Sequence, residues 1–573
     1  MMSDYVQDGL WIDHSTNTKY ITVTEERASK ITILLSLVVW LSLLRSYEIF
    51  RRFFQIVYQM KNRSSRTADE AIAMEDLTIR EVLPAVVAQV LSEERSMEGV
   101  LPRIIRDYVL ASPVRLPGTT TISQKRFSRW CCNALKKTLL IAAGLLFIGL
   151  AVGYQFIVTY TSLIIDHNTV RSKHPKAGAW YPDVLNSHHM ANTSIFPVVN
   201  EFQTDLMFKA VAYADACYKE DARDAECSLF YKPRLNYTEL HNASCPFEEH
   251  MCLGEPNNAF VLDTDWIDAK VLGINKQHTC QFRARKVCSP LNLEGYIRSR
   301  PTHGSDSVYV EYMLGDGWGI VQQGNKTFGD EVKEDALFNP SSPRQLIPEM
   351  RVQGGRVTVY FVRPVSVAYT RSSSDPVFPA TLTTVTSMDR NFPLYYNPHQ
   401  RSTAFACADS FTIRHSTHHH LEWQPRYQNL TSLEDAGWTS PDETTSLHIL
   451  NITQLAPSYF LSRYADMSAH FDAPRRIGSF YSAQVDKEQW KLEARKIFVT
   501  ELALLQYHSH EVTHGLGYNL PHAINILDKF GINASGIMLF PAPGWKNIKV
   551  STLLGFLCAC IACWVLDYIS KYW

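Results

Sequence analysis

TLLIAAGLLFIGLAVGYQFIVTYTSLII, residues 138 to 165, runs for 28 residues without a charge. As a helix it more than covers a hydrocarbon core of ~30 Å, so the stretch predicts a membrane span. Two other apolar runs flank it along the chain. ITILLSLVVWLSLL, from Ile31 to Leu44, is shorter, and RSYEIFRRFF follows it instead of a small-residue cleavage site, which argues against a removable signal peptide. VSTLLGFLCACIACWVL, from Val550 to Leu566, precedes Asp567 to Trp573. The expected spans are therefore residues 31–50, 138–165 and 549–568.

Flanking charge gives their orientation. Arg45, Arg51, Arg52, Lys61, Arg63 and Arg66 follow the first run, and Lys125, Arg126, Arg129, Lys136 and Lys137 precede the second. Basic residues collect on the cytoplasmic side, so the 51–137 loop is expected there, with residues 1–30 and 166–548 outside and a cytoplasmic tail at 569–573. The loop sequence DEAIAMEDLTIREVLPAVVAQVLSEE has near-helical apolar spacing until Pro84, which predicts amphipathic helices. Cys131 and Cys132, just before the second run, are placed for S-palmitoylation.

The outer segment carries signs of the secretory pathway. Sequons stand at Asn192, Asn236, Asn242, Asn325, Asn429, Asn451 and Asn533, against the roughly two or three that chance would give. Cys217, Cys227, Cys245, Cys252, Cys280 and Cys288 cluster there and predict a disulfide framework of open connectivity, while Cys407 is either free or bonded to one of the six. NEFQTDLMFKAVAYADACYK (200–219) reads as helix, and RVTVYFV (356–362) and LHILNIT (447–453) read as strands. SPDETTS and FNPSSPRQLIP read as loops. The expected architecture is an α+β ectodomain, disulfide-stapled, carried by three transmembrane α-helices. A net charge of −1 excludes any overall bias toward nucleic acid.

DGLWIDHSTNTKYITVTEERASKITILLSLVVWLSLLRSYEIFRRFFQIVYQ and the cysteine block from CSLFYKPRLNYTELHNASC to RKVCSPL resemble the pattern of a large group of uncharacterised multi-span membrane glycoproteins of filamentous ascomycete fungi. That resemblance implies a topology and no catalytic motif. Because members can sit beside genes of secondary metabolism, it also implies an accessory role in such a cluster. Asn17 and Lys19 replace glycines common in the group.

YHSHEVTHGLGYN, residues 507 to 519, contains HExxH at His510, Glu511 and His514. On a helix, that spacing sets two imidazoles on one face beside a carboxylate that could activate zinc-bound water. Asp486 and Gln489 form a capping-box-like start, and Gly515 and Gly517 form a stop. Both histidines fall about 160° from the apolar stripe of Trp490, Ala494, Ile497, Phe498, Leu502 and Leu505, which points them toward a cleft or solvent. The third ligand is the difficulty. A metzincin pattern would place histidine where Leu520 stands, a gluzincin would need a later glutamate, and only His522 and Asp528 are available, with Met538 as a floor residue. The alternative to a non-catalytic reading is thus a membrane-anchored zinc metallopeptidase with His510, His514 and His522 as ligands and Glu511 as base. RHSTHHHLEW adds His415, His418, His419 and His420, read as a solvated loop with loose metal affinity at most.

Together these readings predict a multi-span membrane glycoprotein of the plasma membrane or secretory pathway, partnered by the lipid bilayer and by proteins of unknown identity. It would carry no cofactor and act by interaction or as an accessory protein.

Overall fold

The computed structural model describes residues 5–64 and 164–572, apart from internal stretches that include 183–194, 302–307, 316–329, 334–345, 385–392, 424–437 and 465–470. The expected cytoplasmic loop and nearly all of the 138–165 run lie outside the described residues. The chain forms two units: Met1–Lys30 with Ile164–Leu553, and Ile31–Leu163 with Leu554–Trp573.

In the first unit, β1 (Gly9–Asp13) and β2 (Thr18–Thr24) form an antiparallel hairpin whose connection contains Asn17 at φ 51°, a left-handed position asparagine tolerates. The helix α1 (Glu25–Ser64) follows directly. After β3 (Ile165–Asp166) come α2 (Ile195–Cys217), β4 (Thr238–Ala243), β5 (Ala259–Asp263), β6 (Gln281–Pro290), β7 (Asp330–Lys333), β8 (Arg356–Val362) and β9 (Thr403–Arg414). The chain then runs through α3 (Pro441–Tyr464), α4 (Gln489–His514), β10 (Trp545–Lys549) and α5 (Val550–Tyr572).

An antiparallel sheet of order β7-β8-β9-β6-β5-β4 is the scaffold of this unit. Its central strands are covered on both faces, which explains why RVTVYFV is nearly continuously apolar. Tyr360, Val362, Phe405 and Phe282 enter the main core with helices α2, α3 and α4, while Val357, Val359, Phe361, Ala404 and Ala406 enter a second cluster with Tyr312 and Met350. Lys286 of β6 is buried and ion-paired to Asp409 of β9 and to Glu501 of α4, the latter at 3.1 Å, tying the helix to the sheet. A second sheet has the order β1-β2-β10-β3 and gathers strands from both ends of the described chain.

The fold is α+β, with antiparallel sheets and three disulfides: Cys217–Cys227, Cys245–Cys252 and Cys288–Cys407. Cys407 is bonded, and Cys280, counted in the expected framework, is a free thiol buried beside Ser446. Cys288 and Cys407 stand opposite each other on β6 and β9. Their bond closes a separation of 119 residues against 10 and 7 for the others. Loop entropy therefore assigns it roughly 5 kcal/mol of stabilisation, and roughly 2–3 kcal/mol to each short loop.

Two expectations need correction. Among the described residues, one helix, Val550–Tyr572, is long and apolar enough to cross a membrane, where the sequence led us to expect three. Ile31–Leu44 lies inside the 40-residue α1. LHILNIT is not a strand but part of α3, whose start is the supposed loop SPDETTS: Pro441 fits the first helical position, and Asp442 and Glu443 place negative charge in the first turn. Its β-branched residues masked a helix that tertiary packing holds.

In the second unit α1 and α5 run parallel. Trp564 Nε1 donates to Ser42 Oγ at 3.1 Å, and Arg52 donates to Ser570 Oγ at 3.2 Å. The buried carboxylate of Asp567 meets Arg45, Arg52 and Lys571 at 3.6, 3.5 and 3.3 Å.

Candidate functional site

Helix α4 carries the histidines, and its surroundings differ from the two-faced helix expected. Of its 26 residues, 20 are buried, because it packs against α2, α3 and the sheet rather than on one surface. The polar side is not left to water. Gln506 accepts from Tyr218 Oη at 2.8 Å and donates to the Lys232 carbonyl at 2.7 Å, and Glu493 accepts the backbone N–H groups of Asp472 and Ala473. Burial is the main reason the Glu493 carboxyl lies above its usual range. At the helix start, Gln489 bonds the Asp486 N–H, half of the expected capping box. The other cap comes from Asp375, which accepts the Trp490 N–H at 3.1 Å.

The C-terminal glycines have a packing role. Gly515 turns left-handed at φ 62°, and a Cβ there would stand 1.8 Å from the Lys176 carbonyl oxygen; at Gly517 it would stand 2.3 Å from that of Trp180. The 176–180 backbone lies directly against the helix end, and only glycine admits it. The GLG after HEVTH is therefore accounted for without a metal.

Glu511 does not turn toward His510 and His514. Its Oε2 accepts the Nδ1–H of His508 at 2.5 Å, with Tyr181 Oη 3.5 Å from the same nitrogen. Burial, then the nearby Glu511 charge, raises the Tyr181 phenol well above its usual range. His508 was not singled out from sequence, though its position three residues before Glu511 is a helical pairing distance. His514 directs its Nδ1–H to the His510 carbonyl at 3.0 Å, since a carbonyl can only accept. The two rings lie 4.1 Å apart between centroids. Burial, reinforced by His514 and Lys209, pushes His510 down to about 3, and burial lowers His514 as well.

His522 stands in a turn at φ 53°. Asp528 bonds Asn525 Nδ2 at 2.8 Å, and Met538 is wholly within the main core. No group of three or more His, Cys, Asp or Glu side chains among the described residues is arranged to hold a metal ion. The zinc set of His510, His514 and His522 with Glu511 as base does not fit this geometry, because its base is bonded to another histidine.

Beside α4 lies a crevice with a polar floor of Gln506, Ser509, His510 and Thr513 and an apolar wall that includes Phe230, Leu272 and Phe540. It has room for about one water molecule. Farther away, the His415 loop is more ordered than its composition suggests. His415 is buried and bonded through Nε2 to Glu443, while its Nδ1 accepts the backbone N–H groups of Thr417 and His418. His418, His419 and His420 are exposed.

Among the sequons, Asn236, Asn242 and Asn533 are exposed, and Asn242 sits on the edge strand β4 at φ 60°. Asn451 is fully buried in α3, so the folded domain cannot present it to a glycan-transferring enzyme. Asn192, Asn325 and Asn429 lie outside the described residues. No protein-family model, curated protein or solved structure matches the chain.

Proposed function

We propose that this chain is a multi-span membrane glycoprotein whose disulfide-bonded α+β unit faces the lumen or the outside, and that it works by interaction rather than catalysis. One observation carries the reading: the sheet β1-β2-β10-β3 brings together the chain segments that border all three apolar runs. β2 ends at Thr24, directly before α1; β3 begins at Ile165, where the 138–165 run ends; β10 ends at Lys549, directly before α5. If α1 and α5 both leave this sheet to cross a bilayer, the chain must return once between residues 65 and 163, and the uncharged run at 138–165 supplies that crossing. The parallel pairing of α1 with α5 supports the same count. Three disulfides favour an oxidising compartment. The fungal resemblance adds an accessory role beside a secondary-metabolite cluster.

Glycan mapping in membranes tests the topology. Asn236→Gln, Asn242→Gln and Asn533→Gln should each remove one endoglycosidase-sensitive increment, Asn451→Gln should remove none, and a sequon inserted near residue 70 should stay bare. Modification of the inserted sequon would overturn the proposal. For the non-catalytic part, Glu511→Gln should complement a deletion strain as well as the wild-type chain does; failure despite normal abundance would restore a hydrolytic role.

A further inference from the structure

The helix pair α1 and α5 carries a charge cluster that its own carboxylates do not balance. We propose that Arg45, Arg52 and Lys571 hold the phosphate of one anionic phospholipid in the cytoplasmic leaflet, of a kind whose headgroup brings no cation of its own. The inference rests on the membrane topology proposed above and names a partner for it.

Depth places the cluster. α5 begins at Val550, directly after β10, and at 1.5 Å per residue Asp567 stands about 26 Å farther along its axis. That is close to the ~30 Å of a hydrocarbon core. With the α+β unit outside, Asp567 and its partners reach the inner headgroup boundary. Trp564, Tyr568 and Tyr572 are exposed on the same stretch, and such rings collect at headgroup level. The carboxylate is buried while the cations are not: the Asp567 side chain is 5% exposed, against 48% for Arg45, 26% for Arg52 and 42% for Lys571.

Charge and geometry then point to the ligand. Asp567 is the only acidic residue of α5, and Glu48 is the only one of α1 after Glu26. Three cations therefore share two carboxylates and keep one positive charge in excess. Their contacts are long: Arg45 lies 3.6 Å from Asp567 and 3.5 Å from Glu48, Arg52 lies 3.5 and 3.6 Å from the same two, and Lys571 lies 3.3 Å from Asp567. Charge-assisted hydrogen bonds settle at about 2.7–2.9 Å. Each guanidinium carries five N–H donors, so both retain donors for a further acceptor. A phosphodiester supplies one negative charge and oxygens that match the guanidinium fork. Phosphatidylcholine has that phosphate too, but its ammonium group would add a fourth cation. Phosphatidylinositol carries the phosphodiester charge alone, and the cytoplasmic leaflet is where anionic lipids meet basic residues beside a span.

The test uses the full-length chain with the sequon inserted near residue 70, reconstituted into bilayers that hold equal traces of photoreactive phosphatidylinositol and phosphatidylcholine. Adducts on α1 and α5 are counted by mass spectrometry, which also reads the inserted sequon. Phosphatidylinositol should be favoured about fivefold, the effect of one uncompensated basic residue near an anionic headgroup. Arg52→Gln should bring the ratio near one, whereas Asp567→Asn, which frees a second positive charge, should raise it. An ion-pair cluster with no lipid role would leave the ratio near one in all three chains. That result with a bare sequon would overturn the headgroup site alone, and a lower ratio in Asp567→Asn would overturn it equally. A glycan on the sequon would overturn the topology and with it the leaflet, whatever the ratio. Excess inorganic phosphate should leave the preference standing, because the acyl chains keep the headgroup at the cluster. Its abolition would assign the site to a soluble anion and overturn the proposal. The unsubstituted chain decides the matter even if a variant fails to fold.

Discussion

RHSTHHH at 414–420 and YHSHEVTH at 507–514 are two histidine-rich stretches in which one imidazole engages a glutamate and the others do not. In the loop the pair is His415 with Glu443, contributed by a different element, and the remaining histidines face solvent. In the helix the pair is His508 with Glu511, three residues apart, and the remaining histidines are largely enclosed. The difference lies in what surrounds the unpaired rings. Water solvates His418 to His420, whereas burial against the neighbours of α4 pushes the pKa of both His510 and His514 down.

Removing the glutamates should separate the two most strongly. Glu443 accepts from His415 Nε2, from Ser416 Oγ and, at 3.3 Å, from the Ser416 N–H, and it is 2% exposed in the first turn of α3. Glu443→Ala strands three donors at once and should cost about 3–5 kcal/mol in denaturant unfolding. Glu511→Ala strands chiefly His508, and a smaller loss of about 2–3 kcal/mol is expected. Equal losses would mean that the loop pair is no better built than the helical one.

Acid sharpens the contrast next. His510 is held at about 3 by burial, far below the ~6.5 of an unfolded histidine. Between those values the unfolded chain binds the extra proton, so His510 makes the folded state progressively less stable as the pH falls from ~6.5 toward about 3. His510→Gln should therefore lose less thermal stability than the wild-type chain between pH 6.5 and 4. Parallel melting curves across that window would show that the ring is solvated like those of the loop.

Much of this was readable in the sequence, and the failures share a cause. The helices at 200–219 and 489–514, the strand at 356–362 and the presence of disulfides followed from periodicity and cysteine spacing. What escaped was decided across long separations: Cys407 meets Cys288 from 119 residues away, and Asp375 caps α4 from 115 residues away. Local pattern also misled at LHILNIT, where Ile449 and Ile452 suggested a strand although Ser440-Pro441-Asp442-Glu443 was already a helix start. In the HExxH segment the spacing gave the helix correctly. It could not show that Glu511 would bond backward to His508, because an amphipathic pattern assumes that the polar face meets water.

The smallest effect belongs to the exposed loop residues. Replacing His418, His419 and His420 together by alanine removes three solvated imidazoles, one side-chain hydrogen bond, between Thr417 Oγ1 and His418 Nδ1 at 3.1 Å, and the edge-on ring contact of His418 with His415 at 4.6 Å. The order of the loop rests instead on His415, whose Nδ1 holds two backbone N–H groups while Nε2 holds Glu443, and none of these partners is altered. Surface changes of this kind stay within about 0.5 kcal/mol. The triple variant should thus unfold at the wild-type denaturant midpoint, whereas His415→Ala alone should shift it clearly. A large shift in the triple variant would mean that the tract is held by contacts of its own and that the loop resembles the helix more closely than its exposure suggests.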